Sequence, residues 1–589
     1  MPKQVDVRLK WAAIGCIVVV ALIACAPLLL KGAVDGHSIE YNLVWLKHFS
    51  AQLATGEWYP RWLMGMNRGA GSPVFFYYAP LPFYLTSLGV ALLPFLTLNA
   101  QLAAGECLLI ALSGVAFFLY ARHRVTSGPA LLAACLYMLL PYHFEIDLWL
   151  RQDLGELTIY ICTPLILLFT EKLLDQHTVE QRGAVAGLAL AYAALMFSHL
   201  PSGLLFSLCL GCYVGVRQLR QFSRAALQQF AVAIVLGVAL AAVYWVPALF
   251  TQQYIQTDKL WTPYFDFHRW LYPASSEQAN PFTRRLILLI NLTTILFTLF
   301  CAMVWWQRGR SAAVRLLPAL VLMGAAWFLI SPASVLLWEH APALWKVQFP
   351  WRVVLVMDLA TAIAAMYALQ GLREQVHAGR VVLGLSAAGI LLYCLVSADI
   401  KNTIGPVDNA RAVTAGFYAV RDGLDAPEYT TPWSHLSPRE IVSNDRLFDD
   451  QIDYNEKDGV VHVVEWSPRE IELNVKLQRP TDLDIRQFYF PNWKIVARDL
   501  HTALIPHPVK HTGLMRIRAP AGQYQLKLAM VPLLQEWIGG TISAIALLLV
   551  GTLIIFRNGS ARILRAGRRH YFRSFHSRGF RSRNSRSGN

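Results

Sequence analysis

Residues 56–84 read GEWYPRWLMGMNRGAGSPVFFYYAPLPFY, and the side of the membrane on which they lie decides the topology of the whole chain. The stretch is aromatic and apolar enough for a membrane, yet it contains Arg61, Arg68 and four prolines. Proline in a helix interior removes a hydrogen bond and kinks the helix. The residues alone therefore leave three interpretations, namely a membrane span, a loop or part of a functional site.

The composition of the chain indicates its class. Of 589 residues, 55% are hydrophobic and only 15% are charged, and the mean hydropathy is +0.40. Soluble domains are nearer a quarter charged, so these values predict a polytopic membrane protein. The net charge of +15 does not indicate nucleic-acid binding, because ten arginines and no acidic residue follow Phe556, directly after an apolar segment. Such a tail is typical of a cytoplasmic terminus attracted to anionic lipid.

Sustained apolar windows predict about twelve spans, and the charges between them test this number. The windows lie near 11–30, 100–120, 128–142, 157–171, 183–198, 201–216, 228–247, 286–306, 316–332, 351–370, 381–398 and 536–556. With the N-terminus inside and the first helix retained, the basic loops all fall on the inner side, as the positive-inside rule requires. Arg284 and Arg285, on the outer side, are the exception.

This alternation of sides decides where the opening stretch lies. If residues 74–97 formed another full span, every later loop would change sides and the arginine-rich tail would face outward. The stretch is therefore predicted to stay outside, with PLPFYLTSLGVALLPFL interfacial or re-entrant. Irregular backbone at that depth requires cover from protein or a watery cavity.

Four parts of the chain are predicted. Residues 1–398 form a multi-pass membrane domain whose first outer loop spans 31–99. Residues 399–535 alternate polar and apolar positions between turn formers, which favours an extracytoplasmic antiparallel β-sandwich. A final span covers 536–556, and 557–589 form the cytoplasmic tail.

Polar residues at the outer ends of spans are the candidates for function, because ionisable groups there are costly. Four clusters qualify, and each has a structural alternative. Asp35 and Glu40 follow the first span and are either a base or exposed loop carboxylates. Arg61 either binds a phosphate or lies in an interfacial aromatic belt. The other two clusters are PYHFEIDLWLRQDLGELTIY (141–160), whose charges would otherwise neutralise one another in a solvated loop, and the short elements SHLP (198–201), WEH (338–340) and QFPWR (348–352).

These motifs together resemble one family. The segments GEWYPRW and GSPVFFYYAPLPFY, then PYHFEIDLWLRQDLGE, SHLP and QFPWR, are similar to the 6-pyruvoyl-tetrahydropterin synthase-related membrane-protein family. The resemblance covers about residues 30–555 and implies an architecture like that of the GT-C glycosyltransferases. It implies a base or metal ligand in the first outer loop, where Asp35 is the nearest match. Relatives place Gly-His-Asp there, whereas this chain has Gly36-His37-Ser38.

The function predicted from this resemblance is sugar transfer from a polyprenyl-phosphate donor to a glycan or lipid acceptor on the outer face of a bacterial-type inner membrane, with both termini cytoplasmic. Asp35 is the expected base, with Glu40 as the alternate. The remaining site residues fall into two groups: Arg61, Arg151 and Arg352 for the donor phosphate, and His37, Glu156 and His199 as orienting residues.

No organic cofactor is expected, and a divalent metal ion is left open. Walker, dinucleotide-binding, HExxH and GxSxG motifs are absent from the sequence. Two alternatives to the enzyme are a non-catalytic protein of the same fold that handles lipid-linked glycans and, with less support, a transporter.

Overall fold

The structure is a computed structural model that describes residues 7–31, 36–175, 181–260, 262–375, 425–437, 440–441, 450–498 and 504–555. Its α-helices are, in chain order, α1 Val7–Lys31, α2 Ile39–Ala54, α3 Met66–Gly69, α4 Val74–Tyr77, α5 Leu81–Leu92, α6 Leu98–Arg124, α7 Ser127–Leu139, α8 Leu154–Leu174, α9 Gln181–Met196, α10 Leu200–Arg220, α11 Arg224–Leu240, α12 Ala242–Phe250, α13 Pro281–Arg308, α14 Ala312–Ile330, α15 Val335–His340, α16 Pro342–Trp345, α17 Val354–Gln375 and α18 Leu534–Ile555. A π-helix, Tyr142–Arg151, continues α7 toward α8.

Eight helical segments of the described residues are long and apolar enough to cross a membrane, and a bent pair adds a ninth. The pair is α11 and α12, which meet at 66°. The chain is therefore a polytopic helical membrane protein, as predicted, but the number of about twelve spans is not confirmed. One predicted span, 381–398, lies outside the described residues, and α9 has only 16 residues, fewer than the roughly 20 that a span requires.

One of the eight segments, Pro281–Ile330, is two helices rather than one. Gly309 breaks it with a left-handed φ of 53°, which glycine adopts without strain. Tyr272 then joins both ends, because its hydroxyl donates to Asn291 in α13 and its backbone N–H to Ile330, the last residue of α14. The segment therefore folds back on itself.

The central helix of the bundle is α17. Buried residues make up 94% of its span, and it packs against α7, α13 and α14. Asp358 lies on this helix and accepts hydrogen bonds from the Tyr160 hydroxyl and the His143 backbone N–H. A helix that is apolar on all sides is expected at the core of a large bundle.

The two ends of the bundle differ in their polar residues. One end carries Arg124, which pairs with Glu171 and Asp175, and Arg217, which also pairs with Asp175. This end contains the loops that were predicted to lie inside. At the other end Arg285, the apparent exception to the charge rule, pairs with Glu145. Its charge is thus compensated locally.

The opening stretch does not form a span in the structure. Its regular parts are one helical turn, α4, and the start of α5, which has 12 residues, whereas α3 is interrupted by left-handed φ values of 51° at Asn67 and 57° at Arg68. A helix of that length is about 18 Å long, well short of the hydrocarbon core. Helix α5 packs against α6 and α2, so residues 74–97 contain no full span, and their interfacial or re-entrant position stays a prediction.

The region before α18 is β-rich, as predicted. Two four-stranded antiparallel sheets are ordered β1-β4-β7-β6 and β2-β3-β8-β5. Their strands are β1 Ile452–Asp453, β2 Gly459–Ser467, β3 Glu470–Leu477, β4 Thr481–Phe488, β5 Trp493–Arg498, β6 His507–Pro508, β7 Leu514–Ala519 and β8 Gly522–Met530. Alternate residues of both sheets, such as Leu473 and Ile485, share one core, which gives a sandwich.

The opening stretch joins this sandwich to the helices. Trp62 packs into the core of the sandwich and donates through its indole N–H to Gln487 at 2.8 Å. Arg61 pairs with Glu536 at the start of α18 and donates to the Val243 carbonyl at 2.6 Å. Glu536 in turn accepts from Asn492 at 2.8 Å.

We expect Arg61→Met to loosen the sandwich from the helices. The substitution leaves the buried Glu536 carboxylate without its cation, a loss of the kind that costs about 2 kcal/mol or more at an interface. Cleavage within the sandwich by a protease should become at least about tenfold faster. Arg516→Met is the control, because Arg516 pairs with Asp484 on the partly exposed sheet surface, where such pairs contribute about 0–1 kcal/mol. Equal cleavage rates for the two variants would contradict the role given to Arg61.

Candidate functional site

Three helix starts converge at the end of the bundle that carries the sandwich. Asp153 caps α8 by accepting from the Glu156 backbone N–H at 2.9 Å. His199 caps α10, accepting at Nδ1 from the Ser202 backbone N–H at 3.4 Å. Arg352 lies in the 3₁₀ turn Pro350–Val353 that leads into α17. Helix starts carry partial positive charge, so this position favours anionic groups.

Arg151, Asp153, Glu156, His199 and Arg352 meet there and are called the buried charge cluster. Arg151 ends the π-helix, and Gln152 reverses the chain with a φ of 52°. The Arg151 guanidinium then bonds to three carboxylates: Asp147 at 2.7 Å, Asp153 at 2.5 Å and Glu156 at 2.8 Å. All of these side chains are buried. The alternative of a solvated loop is therefore wrong for these residues.

Glu156 is the centre of the cluster. Its Oε2 accepts from the Tyr142 hydroxyl at 2.9 Å as well as from Arg151. Its Oε1 accepts from Ser202 Oγ at 3.0 Å and lies 3.1 Å from Nε of Arg352. A buried carboxylate needs this number of donors to offset its lost hydration. Glu156 thus contacts both arginines, and its role in orienting them at a donor site stays a prediction.

Arg352 is the less fully engaged of the two arginines. Its Nη1 donates to the Val347 carbonyl at 2.8 Å, and its guanidinium lies 5.3 Å from the centre of the Phe349 ring. Within the described residues no hydrogen bond reaches its Nη2. Arg151 is also covered by an aromatic ring, that of Trp351 at 5.0 Å. One guanidinium nitrogen is therefore left to bind a further acceptor.

The cluster alters the pKa values of its members that lie between spans. Burial raises the pKa of Asp153, but Arg151, His199, Arg352 and the Glu156 backbone N–H outweigh it and bring the pKa to about 2. The pKa of His199 is lowered to about 4, mainly by burial, with Arg352 and Arg151 also lowering it and Asp153 and Glu156 raising it. At neutral pH Asp153 is charged and His199 is neutral.

The low pKa of His199 predicts a loss of stability in acid. An unfolded histidine titrates near pH 6.5, so between about pH 6.5 and 4 the unfolded chain binds a proton that the folded chain does not. Stability should fall as the pH falls through this window. In His199→Gln the melting temperature should depend less on pH over that range.

The control for this prediction is His268→Gln. Burial lowers the pKa of His268, but the carboxylates of Asp266 and Glu339 outweigh it and raise the pKa. A histidine with a raised pKa stabilises the fold at low pH, and this stabilisation is lost as the pH rises. The pH dependence of stability from His268 therefore has the opposite sign to that from His199. His268→Gln should therefore lose as much stability in acid as the wild type does. If the melting temperature of His199→Gln depends on pH as that of the wild type does, His199 is not the source of the acid sensitivity.

Three side chains of the cluster lie close enough together to be considered as ligands of a metal ion. Asp153, Glu156 and His199 each offer one ligand atom within 4.8 Å of the others. The carboxylate oxygens, however, already accept from Arg151, Ser202 and Tyr142, and Glu156 also forms an ion pair with Arg352. A divalent cation would lie beside two guanidinium charges, so these residues do not fit a metal as they are arranged.

The first outer loop reaches the cluster through its backbone. The N–H groups of His37 and Ser38 donate to the carbonyls of Leu150 and Arg151 at 3.2 and 3.1 Å. Asn42 donates to the Gln152 carbonyl at 2.7 Å. The His37 ring packs on Phe282, 5.1 Å between ring centres. Asp35 lies outside the described residues, as does the side chain of Glu40, but both flank this docked segment in the sequence.

The structure does not place Arg61 with the other two arginines. Its contacts are with Glu536, Val243 and Tyr59, and none of these belongs to the cluster. Its role in donor binding stays a prediction.

Tyr78 is the residue of the opening stretch whose pKa responds to the charges of the cluster. Burial raises the pKa of Tyr78, with opposing contributions from the charges of Asp153 and Arg352. Tyr78 also packs against Trp45, 4.9 Å between ring centres.

Sequence reasoning missed Tyr78, Ser202 and the capping role of Asp153. The signal for Asp153 was present, because Asp153-Leu154-Gly155-Glu156 matches the pattern of a helix cap followed three residues later by an acid. The close packing at position 155 explains why a glycine is found there, since an added Cβ would lie 3.1 Å from both His199 Cδ2 and the Ser198 carbonyl. No comparable signal marked Tyr78 among its neighbouring aromatics.

Comparisons with known proteins relate the chain to one sequence family and to several remote structures. The profile of the 6-pyruvoyl-tetrahydropterin synthase related domain, described as a membrane protein, matches residues 75–400. No curated protein sequence matches the chain.

Among solved structures, the chain is similar to ArnT from Cupriavidus metallidurans bound to undecaprenyl phosphate, at 15% identity and a TM-score of 0.37 over 70% of this chain and 76% of that one. It is similar to the arabinofuranosyltransferase AftD from Mycobacteria at 16% identity and a TM-score of 0.39, over 70% of this chain and 27% of AftD. For the oligosaccharyltransferase of Archaeoglobus fulgidus the identity is 13% and the TM-score 0.37, over 73% and 57% of the two chains. Similarities this remote carry no argument about the reaction.

Proposed function

Since this chain belongs to the 6-pyruvoyl-tetrahydropterin synthase related family of membrane proteins, we propose a membrane function for the buried charge cluster. The protein would be a membrane glycosyltransferase. It would move a sugar from a polyprenyl phosphate carrier to a glycan or lipid acceptor, at the end of the bundle that carries the sandwich.

The observation that carries this proposal is the uncommitted donor of Arg352. The Arg352 side chain is 10% exposed, its guanidinium contacts Glu156 and the Val347 carbonyl, and no hydrogen bond within the described residues reaches its Nη2. A preorganised arginine of this kind suits a phosphate oxygen. The three converging helix starts add partial positive charge. The buried carboxylates balance the charges of the two arginines.

The position of the cluster suggests which residues take part in the reaction. A carboxylate of the docked loop, Asp35 or Glu40, would accept the proton of an acceptor hydroxyl. The hydroxyl oxygen would then attack the anomeric carbon of the donor sugar as the bond from that carbon to the phosphate oxygen breaks. The departing polyprenyl phosphate would keep the bonding electrons, and Arg352 would stabilise its charge, with Arg151 as a positioning residue.

The proposal is tested by lipid-phosphate binding. Farnesyl phosphate, a short polyprenyl phosphate, should bind the purified protein, whereas farnesol should bind much more weakly. We expect Arg352→Gln to weaken farnesyl phosphate binding by about 10- to 100-fold, as for a lost charge-assisted hydrogen bond of about 1.5–3 kcal/mol.

The matched control is Arg217→Gln, because Arg217 pairs with Asp175 at the opposite end of the bundle. This variant should bind as the wild type does. Unchanged affinity in Arg352→Gln, or equal binding of farnesol and farnesyl phosphate, would contradict the proposal.

One observation favours a second function, a non-catalytic protein that binds lipid-linked glycans. Ser38 occupies the position where relatives are expected to carry an aspartate, and its backbone is the one that docks on Arg151. The residue that the fold brings next to the cluster is thus not a carboxylate. Such a protein would bind farnesyl phosphate but would not depend on Asp35 or Glu40.

A further inference from the structure

A groove lies between the opening stretch and the sandwich. Residues 55–59 form one wall, and residues 467–469, at the turn between β2 and β3, form the other. Its volume is about 490 Å³, within the range of about 300–1,000 Å³ that is usual for small-molecule sites. None of its lining residues belongs to the buried charge cluster.

The groove presents a large aromatic surface that is held in place. The Trp58 side chain is 86% exposed, the highest exposure of any tryptophan in the described residues. Its backbone is fixed, because the Trp58 carbonyl accepts from the Tyr84 hydroxyl at 2.5 Å. An exposed indole on an anchored loop offers an apolar face at low entropic cost to whatever binds it.

The polar lining of the groove is neutral overall. The Glu57 carboxylate accepts from Arg469 Nε at 2.6 Å and from Gln52 Nε2 at 2.6 Å. Arg469 also donates through Nη2 to the Tyr59 carbonyl at 3.2 Å, and within the described residues its Nη1 makes no hydrogen bond. The internal ion pair removes the net charge that would attract a phosphate or a cation, yet leaves a donor for a neutral oxygen.

We infer that this groove binds a short neutral oligosaccharide, with one sugar ring stacked on Trp58 and its hydroxyls accepting from Arg469. A pyranose has an apolar face of C–H groups and a rim of hydroxyls, which matches an indole beside a neutral polar pair. The inference rests on the proposed function, since this oligosaccharide would be the glycan acceptor. The groove lies at the same end of the molecule as the buried charge cluster.

The test uses the full chain in lipid nanodiscs and three neutral trisaccharides, namely maltotriose, cellotriose and triacetylchitotriose. Saturation-transfer NMR should show saturable binding of at least one of them to the wild type. Trp58→Ala should weaken that binding by at least about tenfold, and Trp58→Phe, which keeps an aromatic face, should weaken it less. Trp306→Ala is the control, because Trp306 is an exposed tryptophan near the other end of α13.

Two results would overturn the inference. One is the absence of saturable binding of all three sugars to the wild type, as expected if Trp58 only anchors the loop at the lipid interface. The other is unchanged binding in Trp58→Ala.

Farnesyl phosphate binding keeps this test separate from that of the proposed function. The Trp58 variants should bind farnesyl phosphate as the wild type does, and Arg352→Gln should bind the trisaccharide normally. A wild type that binds farnesyl phosphate but none of the trisaccharides would overturn only this inference, and a wild type that binds a trisaccharide but no farnesyl phosphate would overturn only the proposed function.

Discussion

Arg151→Met is expected to lower the free energy of unfolding by about 3–5 kcal/mol, the usual cost of removing one partner from a buried ion pair. Three carboxylates, Asp147, Asp153 and Glu156, bond to this one guanidinium, and all are buried. Methionine fills a similar volume but leaves these charges facing one another without their main cation. The measurement is unfolding of the purified protein in mixed micelles against increasing denaturing detergent.

Two further variants show whether uncompensated charge is the cause. Arg217→Met removes an arginine that is partly exposed and, within the described residues, forms a single ion pair, with Asp175, so it should cost much less. Arg151→Met combined with Glu156→Gln removes one of the stranded charges and should recover part of the loss, as coupled neighbours do. If the loss of unfolding free energy in the double variant equals the sum of the losses in the two single variants, the residues do not act as one cluster.

Asp35→Asn combined with Glu40→Gln should reduce sugar transfer by at least about 100-fold, the lower range for loss of a general base. Binding of farnesyl phosphate should stay within about twofold of the wild type, because neither carboxylate is proposed to bind the phosphate. Transfer is measured as loss of a surface-glycan modification in cells that lack the wild-type gene. The single variants identify which of the two is the base.

Full activity of the double variant would exclude both residues as the base and favour the non-catalytic alternative if farnesyl phosphate still binds. Asp266→Asn provides the control, because Asp266 is a half-exposed carboxylate that pairs with His268 in a loop predicted to lie on the same side. It should leave transfer unchanged. Loss of activity in both Asp266→Asn and the double variant would indicate a general effect of outer charge rather than a base.

Much of the membrane domain could be predicted because its determinants are local. Apolar length indicates the spans, and the basic residues between them indicate which loops share an end of the bundle, as Arg124 and Arg217 do. The alternating pattern of residues such as Leu473 and Val475 likewise predicts strands of a half-buried sheet. Arg151 and Glu156 are five residues apart, so their contact was within reach of sequence reasoning.

The sequence by itself thus determined the membrane class, the absence of a full span within residues 56–84, the β-rich region and the charged segment around Arg151. Only the tertiary structure decided that His199 and Arg352 join Glu156, and that Arg61 pairs with Glu536 instead. The physical reason is that hydropathy and periodicity describe each helix alone. Which helix starts converge, and which of several buried arginines is left with a free donor, depends on how the helices and the sandwich pack against one another.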